Sequence, residues 1–238
     1  MLLSGMCMED RNSEINSRYE RYYAERVNLK VYPTEFVVRT MLANYPNLVF
    51  RKPAPGDEIL DIGFGDGRNT AFLCDCGLSV SGIEITEGIV DQTRLRMKKL
   101  GHDPDLRVGR NSNICFEGGK FDYILACHCC YYCDDGDTLL DNLKEYARVL
   151  KKNGFLVASV ANKSSYIFND AKELADGSMV VVTDPYNNRT GYRLHGFTCR
   201  EDIEDYFTPL FRNFSFGAAD NDYYGISERV FWVVCQKR

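Results

Sequence analysis

The sequence predicts an α/β protein in which helices cover both faces of a mostly parallel sheet. Short apolar runs, each typical of a buried strand, recur at residues 58–62, 79–84, 106–108, 123–126 and 155–160. Amphipathic helix patterns occupy the intervals at residues 68–76, 87–100 and 138–150. Strands that alternate with helices indicate βαβ units and parallel pairing. Two later runs, at residues 211–216 and 229–236, are close enough to form an antiparallel edge hairpin, which gives a seven-stranded sheet.

The first 57 residues predict a helical cap in front of this sheet. A polar, tyrosine-rich helix is expected at residues 14–26, and it carries Tyr22 and Tyr23. Thr34 is a candidate N-cap for a second helix, in which apolar residues recur at helical spacing. A stretch rich in proline then ends the segment.

After the fifth predicted strand the alternation of strands and helices stops. Residues 179–183 and 192–197 are rich in β-forming residues and flank a turn-rich loop, so they predict an inserted β-hairpin. Thr198 and Glu201 have the spacing of a capping box and predict the start of another helix. We expect one domain, in which a cap, a cofactor-binding core, a substrate-covering insertion and a C-terminal part occupy residues 1–57, 58–160, 161–197 and 198–238.

Composition argues against several classes of function. The net charge of −5 disfavours sequence-independent nucleic-acid binding, which needs a cationic face. No run approaches the roughly 18 apolar residues of a membrane-spanning helix, so no membrane association is expected. Residues 1–10 lack the features of a signal peptide, which predicts a cytoplasmic protein. The ten cysteines lie mostly within apolar strand or helix patterns, which favours reduced, buried thiols over disulfides.

The turn after the first strand carries the strongest functional signal. It has the sequence Asp61-Ile62-Gly63-Phe64-Gly65-Asp66-Gly67 and leads into a helix. Alternating glycines let the backbone turn sharply and approach a ligand closely, and a helix start suits an anionic group. Glu84 lies about 20 residues further on, where a carboxylate accepts both hydroxyls of a ribose. This contact fits either NAD or S-adenosylmethionine, but the spacing differs from the dinucleotide motif and Asp61 suits a cationic ligand.

These residues resemble the first motif of the class I S-adenosylmethionine-dependent methyltransferases. The resemblance implies a Rossmann-like methyltransferase fold, with Glu84 at the ribose of S-adenosylmethionine and Ile85 against its adenine. Many family members have an acidic residue near position 110 that contacts the adenine, whereas this chain has Arg110, so Asn111 or Ser112 is expected to substitute. The cofactor-binding residues implied in this way are Asp61, Gly63, Phe64, Gly65, Gly67, Asn69, Glu84, Ile85, Asn111, Ser112 and Cys127.

The methyl acceptor is expected beyond the carboxyl ends of the fourth and fifth strands. His128 is the candidate general base, because a hydroxyl acceptor loses a proton on methylation and histidine titrates near neutrality. The alternative is a histidine that only fills space or bonds to the backbone. Arg193 and His195 lie in the predicted hairpin, where an arginine suits an anionic group, whereas Arg189 lies in its turn and is expected to be solvated.

Tyrosines supply the other acceptor-binding candidates. Tyr131 and Tyr132 follow the fourth strand, where they either line a pocket or pack at the start of a helix. The segment around Tyr22 and Tyr23 resembles bacterial small-molecule methyltransferases of this class, including some that modify polysaccharides, in which the N-terminal helices lie over the cofactor. The substrate-binding candidates are therefore Tyr22, Tyr23, Tyr131, Tyr132, Tyr166, Arg193 and His195.

A zinc site is the competing interpretation of the segment after the fourth strand. Cys130 and Cys133 have zinc-like spacing, and His128 adds a third ligand type. No second C-x-x-C pair completes four ligands, and the resemblance explains the segment as a strand end, so no metal is predicted.

The sequence therefore predicts an enzyme that transfers the methyl group of S-adenosylmethionine to a small molecule, through oxygen, on a sugar-like or anionic metabolite. Cys127-His128-Cys129-Cys130-Tyr131-Tyr132 lacks the Asn/Asp-Pro-Pro-Tyr/Phe motif expected for methylation of the adenine amino group. Two alternatives remain: a non-catalytic S-adenosylmethionine-binding regulator or scaffold, suggested by Arg110, and a protein methyltransferase.

Overall fold

The computed structural model describes residues 8–238, with side chains from residue 13 onward. Its helices are α1 Met8–Ala24, α2 Glu35–Leu42, α3 Arg68–Asp75, α4 Glu87–Leu100, α5 Leu139–Val149 and α6 Arg200–Phe207. Its strands are β1 Glu58–Ile62, β2 Ser79–Glu84, β3 Asp105–Val108, β4 Phe121–Ala126, β5 Tyr132–Cys133, β6 Leu150–Ala161, β7 Lys172–Glu173, β8 Met179–Val180, β9 Arg193–Leu194, β10 Phe211–Asp222 and β11 Ser227–Lys237.

The main sheet has seven strands in the order β10-β11-β6-β4-β1-β2-β3. The five strands from β6 to β3 pair in parallel, and β11 pairs antiparallel with both β6 and β10. The prediction of a mostly parallel sheet with an antiparallel C-terminal hairpin at its edge is confirmed. The strand order changes direction at β1 and β4, and a ligand site is expected at such a switch point.

Element boundaries follow the apolar pattern closely in the core and less closely at the C-terminal edge. β1, β2 and α4 begin and end at the predicted residues. β6, β10 and β11 extend well beyond their apolar runs, because backbone pairing with a neighbouring strand holds their polar ends in the ladder.

Alternate residues of β1 pack into two separate apolar layers. Ile59 packs in the layer that contains Phe36 of α2 and Leu73 of α3, whereas Leu60 packs in the layer that contains Leu143 of α5. Successive side chains of a strand point to opposite faces, so these contacts place helices on both sides of the sheet, as predicted.

A second, four-stranded sheet with the order β5-β9-β8-β7 corrects two predictions. The inserted hairpin forms through antiparallel pairing of β8 with β9, but its paired part is only two residues long on each strand. β5, which contains Tyr132, pairs with β9, so this segment is a strand rather than the start of a helix. β5 was not predicted, because a two-residue strand has no periodicity to detect.

The N-terminal cap is joined to the core by hydrogen bonds between its backbone and helices that cover the sheet. The backbone N–H of Thr34 donates to the side-chain oxygen of Asn69 in α3 at 2.9 Å. Thr34 occupies the predicted N-cap of α2, but its side chain makes no capping hydrogen bond. In α6 the prediction was one residue early: Cys199 is the N-cap, and Asp202 accepts from its backbone N–H at 3.3 Å.

None of the described helices has the length and apolar character needed to cross a membrane. The nine cysteines with described side chains are all free thiols. Residues 1–7, which belong to the N-terminal segment without signal-peptide features, lie outside the described residues.

Candidate active site

A cavity of about 240 Å³ lies at the carboxyl ends of β1, β2 and β4, where the sheet topology predicts a ligand. α1 forms one wall, the segment after β4 forms a second, and the loop before β9 forms a third. The structure brings ten of the predicted site residues to its surface, namely Tyr22, Tyr23, Gly63, Glu84, Ile85, Asn111, Cys127, His128, Tyr131 and Tyr132.

The glycine turn has the backbone geometry that its sequence predicts. Gly63, Gly65 and Gly67 all have positive φ angles, of 62°, 54° and 75°. Gly67 is the N-cap of α3, so the turn opens directly onto a helix N-terminus. A Cβ atom on Gly65 would overlap the hydroxyl of Tyr23, because α1 brings this tyrosine down onto the turn. The turn is therefore a close approach between backbone and cap, which only glycine allows.

Glu84 holds the turn and faces the cavity at the same time. Its carboxylate accepts from the backbone N–H of Gly65 at 3.1 Å and from that of Ile85 at 2.7 Å. Burial raises the pKa of this carboxyl to about 7, although the two backbone donors and the nearby Arg110 lower it. An ionised carboxylate has about four lone-pair sites, so two remain for the hydroxyls of a ligand.

Five predicted cofactor residues stabilise the site from outside the cavity. The buried carboxylate of Asp61 accepts from the hydroxyl of Thr70 in α3 at 2.7 Å, and burial raises its pKa to about 7. Phe64 packs in an apolar cluster with α4. The other three predicted cofactor residues that do not line the cavity are Gly65, Gly67 and Asn69.

Asn111 and Ser112 make structural hydrogen bonds instead of presenting free polar groups. The amide of Asn111 donates to the backbone oxygens of Cys129 and Tyr132 at 2.9 and 3.2 Å. The hydroxyl of Ser112 donates to Asp137 at 2.5 Å, and Ser112 does not line the cavity. Of the two expected substitutes for the acidic adenine contact, only Asn111 therefore reaches the cavity.

Arg110 forms an ion pair that closes one end of the cavity. Its guanidinium lies 2.9 Å from the carboxylate of Asp134, which also accepts from the hydroxyl of Tyr192 at 3.0 Å. All three residues line the cavity. Arg110 thus has a defined partner in the wall of the site.

His128 lies at the start of the segment after β4, in a strained backbone conformation with φ of 57°. Its backbone N–H donates to the hydroxyl of Ser159 on β6 at 2.8 Å, which fixes the turn. The side chain lines the cavity. Burial lowers the pKa of the imidazole, and Glu228, across the cavity on β11, raises it. The net lowering leaves a neutral imidazole at pH 7, which is able to accept a proton.

The structure places the two hairpin arginines differently from the prediction. Arg189, expected to be solvated, lines the cavity and is only 21% exposed. Its guanidinium donates to the hydroxyl of Tyr166 at 2.9 Å, so Tyr166 acts on the cavity through Arg189 and does not line it. Arg193 lies outside the cavity and forms an ion pair with Asp176 at 2.6 Å.

His195, another predicted substrate residue, also lies outside the cavity. Its backbone N–H donates to the backbone oxygen of Tyr131 at 2.8 Å, and its ring packs 4.9 Å from the rings of Phe197 and Tyr206.

Sequence reasoning missed several lining residues. Tyr19 donates to the hydroxyl of Tyr132 at 3.4 Å and shares the face of α1 with Tyr22 and Tyr23, so helical spacing alone could have identified it. The others come from segments brought together only by tertiary packing, and they include Asp134, Asn188, Arg189, Tyr192 and Glu228.

The described residues contain no cluster of three or more His, Cys, Asp or Glu side chains able to hold a metal ion. Cys130 and Cys133 are both buried, and burial raises the pKa of the Cys130 thiol above its ordinary value.

The chain is similar to known methyltransferases in sequence. Residues 59–154 match a family described as a methyltransferase domain. A ubiquinone biosynthesis O-methyltransferase of Pelagibacter ubique is 31% identical over 119 residues, which cover 49% of this chain and 48% of that protein. The match therefore spans about half the length of this curated relative.

Solved structures show the same fold. A protein from Methanosarcina mazei described as an S-adenosylmethionine-dependent methyltransferase aligns with a TM-score of 0.63 and 21% identity, covering 88% of this chain and 99% of that one. A Thermotoga maritima protein of the same description aligns with a TM-score of 0.62 and 18% identity, covering 94% and 99%.

Proposed function

Because this chain belongs to the class I S-adenosylmethionine-dependent methyltransferases, we propose that it methylates a small-molecule acceptor at oxygen, and that the acceptor is a sugar-like or anionic metabolite. The observation that carries this proposal is the shared cavity. A carboxylate suited to ribose, Glu84, a neutral histidine, His128, and a partly buried cation, Arg189, all line it.

The residues present fit S-adenosylmethionine. The positive-φ glycine turn lies at the edge of the cavity, which Gly63 lines, and the free lone pairs of Glu84 suit two ribose hydroxyls. Gly63, Glu84, Ile85, Asn111 and Cys127 would hold the cofactor. When bound, it supplies an electrophilic methyl carbon, so the protein has mainly to position the acceptor and exclude water.

His128 would accept the proton of an acceptor hydroxyl. Its pKa is lowered, so the ring is neutral at physiological pH and has the protonation state of a base. It lies at the end of β4, beside the glycine turn, where the acceptor must approach the cofactor. The same geometry supports an oxygen acceptor, because a hydroxyl group needs a base when its oxygen attacks.

Arg189 would bind an anionic group of the acceptor. Its guanidinium is held by Tyr166, and tyrosines line much of the surrounding cavity, which suits a ring-shaped acceptor packed against aromatic faces. The inserted segment that carries Arg189 would thereby cover the acceptor.

Two measurements test the proposal. Isothermal titration should detect binding of S-adenosylmethionine and S-adenosylhomocysteine, and release of S-adenosylhomocysteine should be followed over a panel of hydroxyl-bearing acceptors with and without a carboxylate or phosphate. Absence of cofactor binding contradicts the enzyme interpretation. Binding without turnover on small molecules or proteins favours the scaffold, and turnover on proteins alone favours a protein methyltransferase.

The acceptor role of Arg189 has its own matched control. Arg189→Gln should raise the KM of an anionic acceptor by about tenfold or more, since a charge-assisted hydrogen bond contributes about 1.5–3 kcal/mol, with little change for a neutral acceptor. Arg193→Gln removes an equal charge outside the cavity and should leave KM unchanged. Equal effects on both kinds of acceptor would contradict an anion-binding role.

A further inference from the structure

A second cavity, of about 210 Å³, adjoins the first between α1 and the loop before β9. Three guanidinium groups and one carboxylate, that of Glu25, line it, so its charge is positive overall. The guanidinium groups are those of Arg18, Arg21 and Arg26. The loop before β9 contributes Tyr186, Asn187 and Asn188.

The arginines of this cavity differ in their hydrogen-bond and ion-pair partners. Arg26 donates to the backbone oxygen of Tyr22 at 3.0 Å, lies 3.8 Å over its ring and approaches Glu25 at 3.7 Å. Arg18 and Arg21 form no ion pair with any side chain in the described part of the chain. The Nε atom of Arg18 is buried, and no hydrogen-bond acceptor for it is present among the described residues. Buried donors are nearly always satisfied in folded proteins, so this donor is suited to an acceptor oxygen of a bound group.

Hydrogen bonds within the loop before β9 order the opposite wall of the second cavity before any ligand binds. The carboxylate of Asp184 accepts three backbone N–H groups of the loop, from Tyr186 at 3.1 Å, Asn188 at 2.9 Å and Arg189 at 2.8 Å. Asp184 itself is buried. The loop therefore presents Asn187 and Asn188 to the arginines of α1 without needing to order itself on binding.

The two cavities share residues. Tyr22 and Asn188 line both, and Arg189, the next residue, lines only the first. The two cavities are therefore adjacent, so an acceptor with one end beside His128 would extend towards the arginines. S-adenosylmethionine itself carries no phosphate, and none of the glycine-turn residues lines the second cavity.

We propose that the second cavity binds a phosphate group of the acceptor, an inference that rests on the proposed function. Several guanidinium and amide donors around one small cavity match a tetrahedral dianion with many acceptor oxygens better than they match a single carboxylate. The reacting hydroxyl of such an acceptor lies in the first cavity, beside His128.

The test uses inorganic phosphate and pyrophosphate as probes on the full chain saturated with S-adenosylhomocysteine, at low ionic strength. The double variant Arg18→Gln, Arg21→Gln should lose roughly tenfold or more of its affinity for these anions, since each charge-assisted hydrogen bond is worth a sizeable factor in binding. The double variant Arg200→Gln, Arg212→Gln, a charge-matched control at two exposed positions outside the cavity, should bind them like the unaltered chain.

Acceptor kinetics give a second measurement. Phosphorylated acceptors should have a lower KM than their dephosphorylated forms, and the double variant should remove that difference while kcat stays unchanged. Equal anion affinity of the unaltered and double-variant proteins overturns the proposal. So does loss of S-adenosylhomocysteine affinity in a variant with unchanged circular dichroism, because the cavity would then serve the cofactor. If the unaltered chain binds phosphate but not S-adenosylhomocysteine, the proposed function fails and the anion site stands.

Discussion

His128 shows how one residue combines an unusual backbone conformation with a position in the wall of the cavity. A positive φ at a non-glycine residue costs free energy, and such strain is often retained where it aims a side chain. The hydrogen bond from its backbone to Ser159 supports this conformation. The strain and the cavity position together favour the interpretation of His128 as a base over that of a space-filling residue.

His128→Asn should lower kcat by about 10²-fold or more, the usual size of a general-base contribution, and should leave S-adenosylhomocysteine affinity unchanged. In the unaltered enzyme, kcat/KM should rise with pH as the imidazole loses its proton. Because the folded pKa is lowered, that rise lies below about 6.5. His102→Asn, a change at a histidine outside the cavity, is the control. Full turnover by His128→Asn would falsify the base role.

Glu84 illustrates a conflict between function and stability at a single carboxyl group. Its folded pKa of about 7 lies above the ordinary value of 4.5, so the unfolded chain releases this proton at lower pH than the folded one. The group therefore destabilises the fold progressively as pH rises from about 4.5 to about 7, by up to about 3 kcal/mol, and its contribution is neutral below that window.

Glu84→Gln should make the ligand-free protein less sensitive to pH across this window, as measured by urea unfolding at several pH values. Part of the decline in stability with rising pH should remain in this variant, because the pKa of Asp61 is also raised to about 7. The same variant should bind S-adenosylhomocysteine about tenfold or more weakly, because the ribose loses a charged acceptor. Glu117→Gln, at an exposed position, should change neither property. An unaltered pH dependence would show that Glu84 ionises freely in the fold.

At the scale of elements, the contact between α1 and the glycine turn decides how closely the cap approaches the core. Gly65→Ala should destabilise the protein by more than the about 1–2 kcal/mol expected for a left-handed alanine, because the new methyl group meets the ring of Tyr23. Gly119→Ala, also at positive φ but in open space, measures the backbone cost alone. The double variant Gly65→Ala, Tyr23→Ser should lose the part of the destabilisation by which Gly65→Ala exceeds Gly119→Ala, as measured by denaturation midpoints. If it does not, the clash is with the cofactor-binding backbone and not with Tyr23.

The second sheet is the other element that matters for function. Its pairing of β5 with β9 joins the segment after β4 to the insertion, and so carries His128, Tyr132 and Arg189 to the same cavity. Two-residue strands contribute little stability by themselves, but register in antiparallel pairing is strict enough to position the side chains that flank them.

For the whole molecule, the size of the cavity implies a movement of α1. The volume of about 240 Å³ is below the range of about 300–1,000 Å³ usual for ligand sites, and α1 covers it with Tyr19, Tyr22 and Tyr23. We expect α1 to open for cofactor and acceptor entry. Amide hydrogen exchange in α1 should be faster than in α5 and should slow when S-adenosylhomocysteine binds. Exchange in α1 that is unaffected by the ligand would contradict this opening.

The sequence by itself determined the sheet, the glycine turn and the residues at the strand ends. Apolar periodicity placed β1, β2 and α4, and the carboxyl ends of parallel strands necessarily meet at one edge, so Gly63, Glu84 and His128 could be grouped without a structure. These signals are local, since they depend on spacing within one strand or turn.

Only the tertiary structure decided which side chains of the cap and the insertion complete the site. Arg189 and Arg193 are four positions apart and chemically identical, yet one lines the cavity and the other binds Asp176. Their difference follows from the pairing of β9 with a strand more than fifty residues earlier and from the carboxylate of Asp184, which folds the loop. Long-range pairing and buried hydrogen bonds of this kind leave no periodicity in the sequence, so the acceptor side of the site was accessible only in three dimensions.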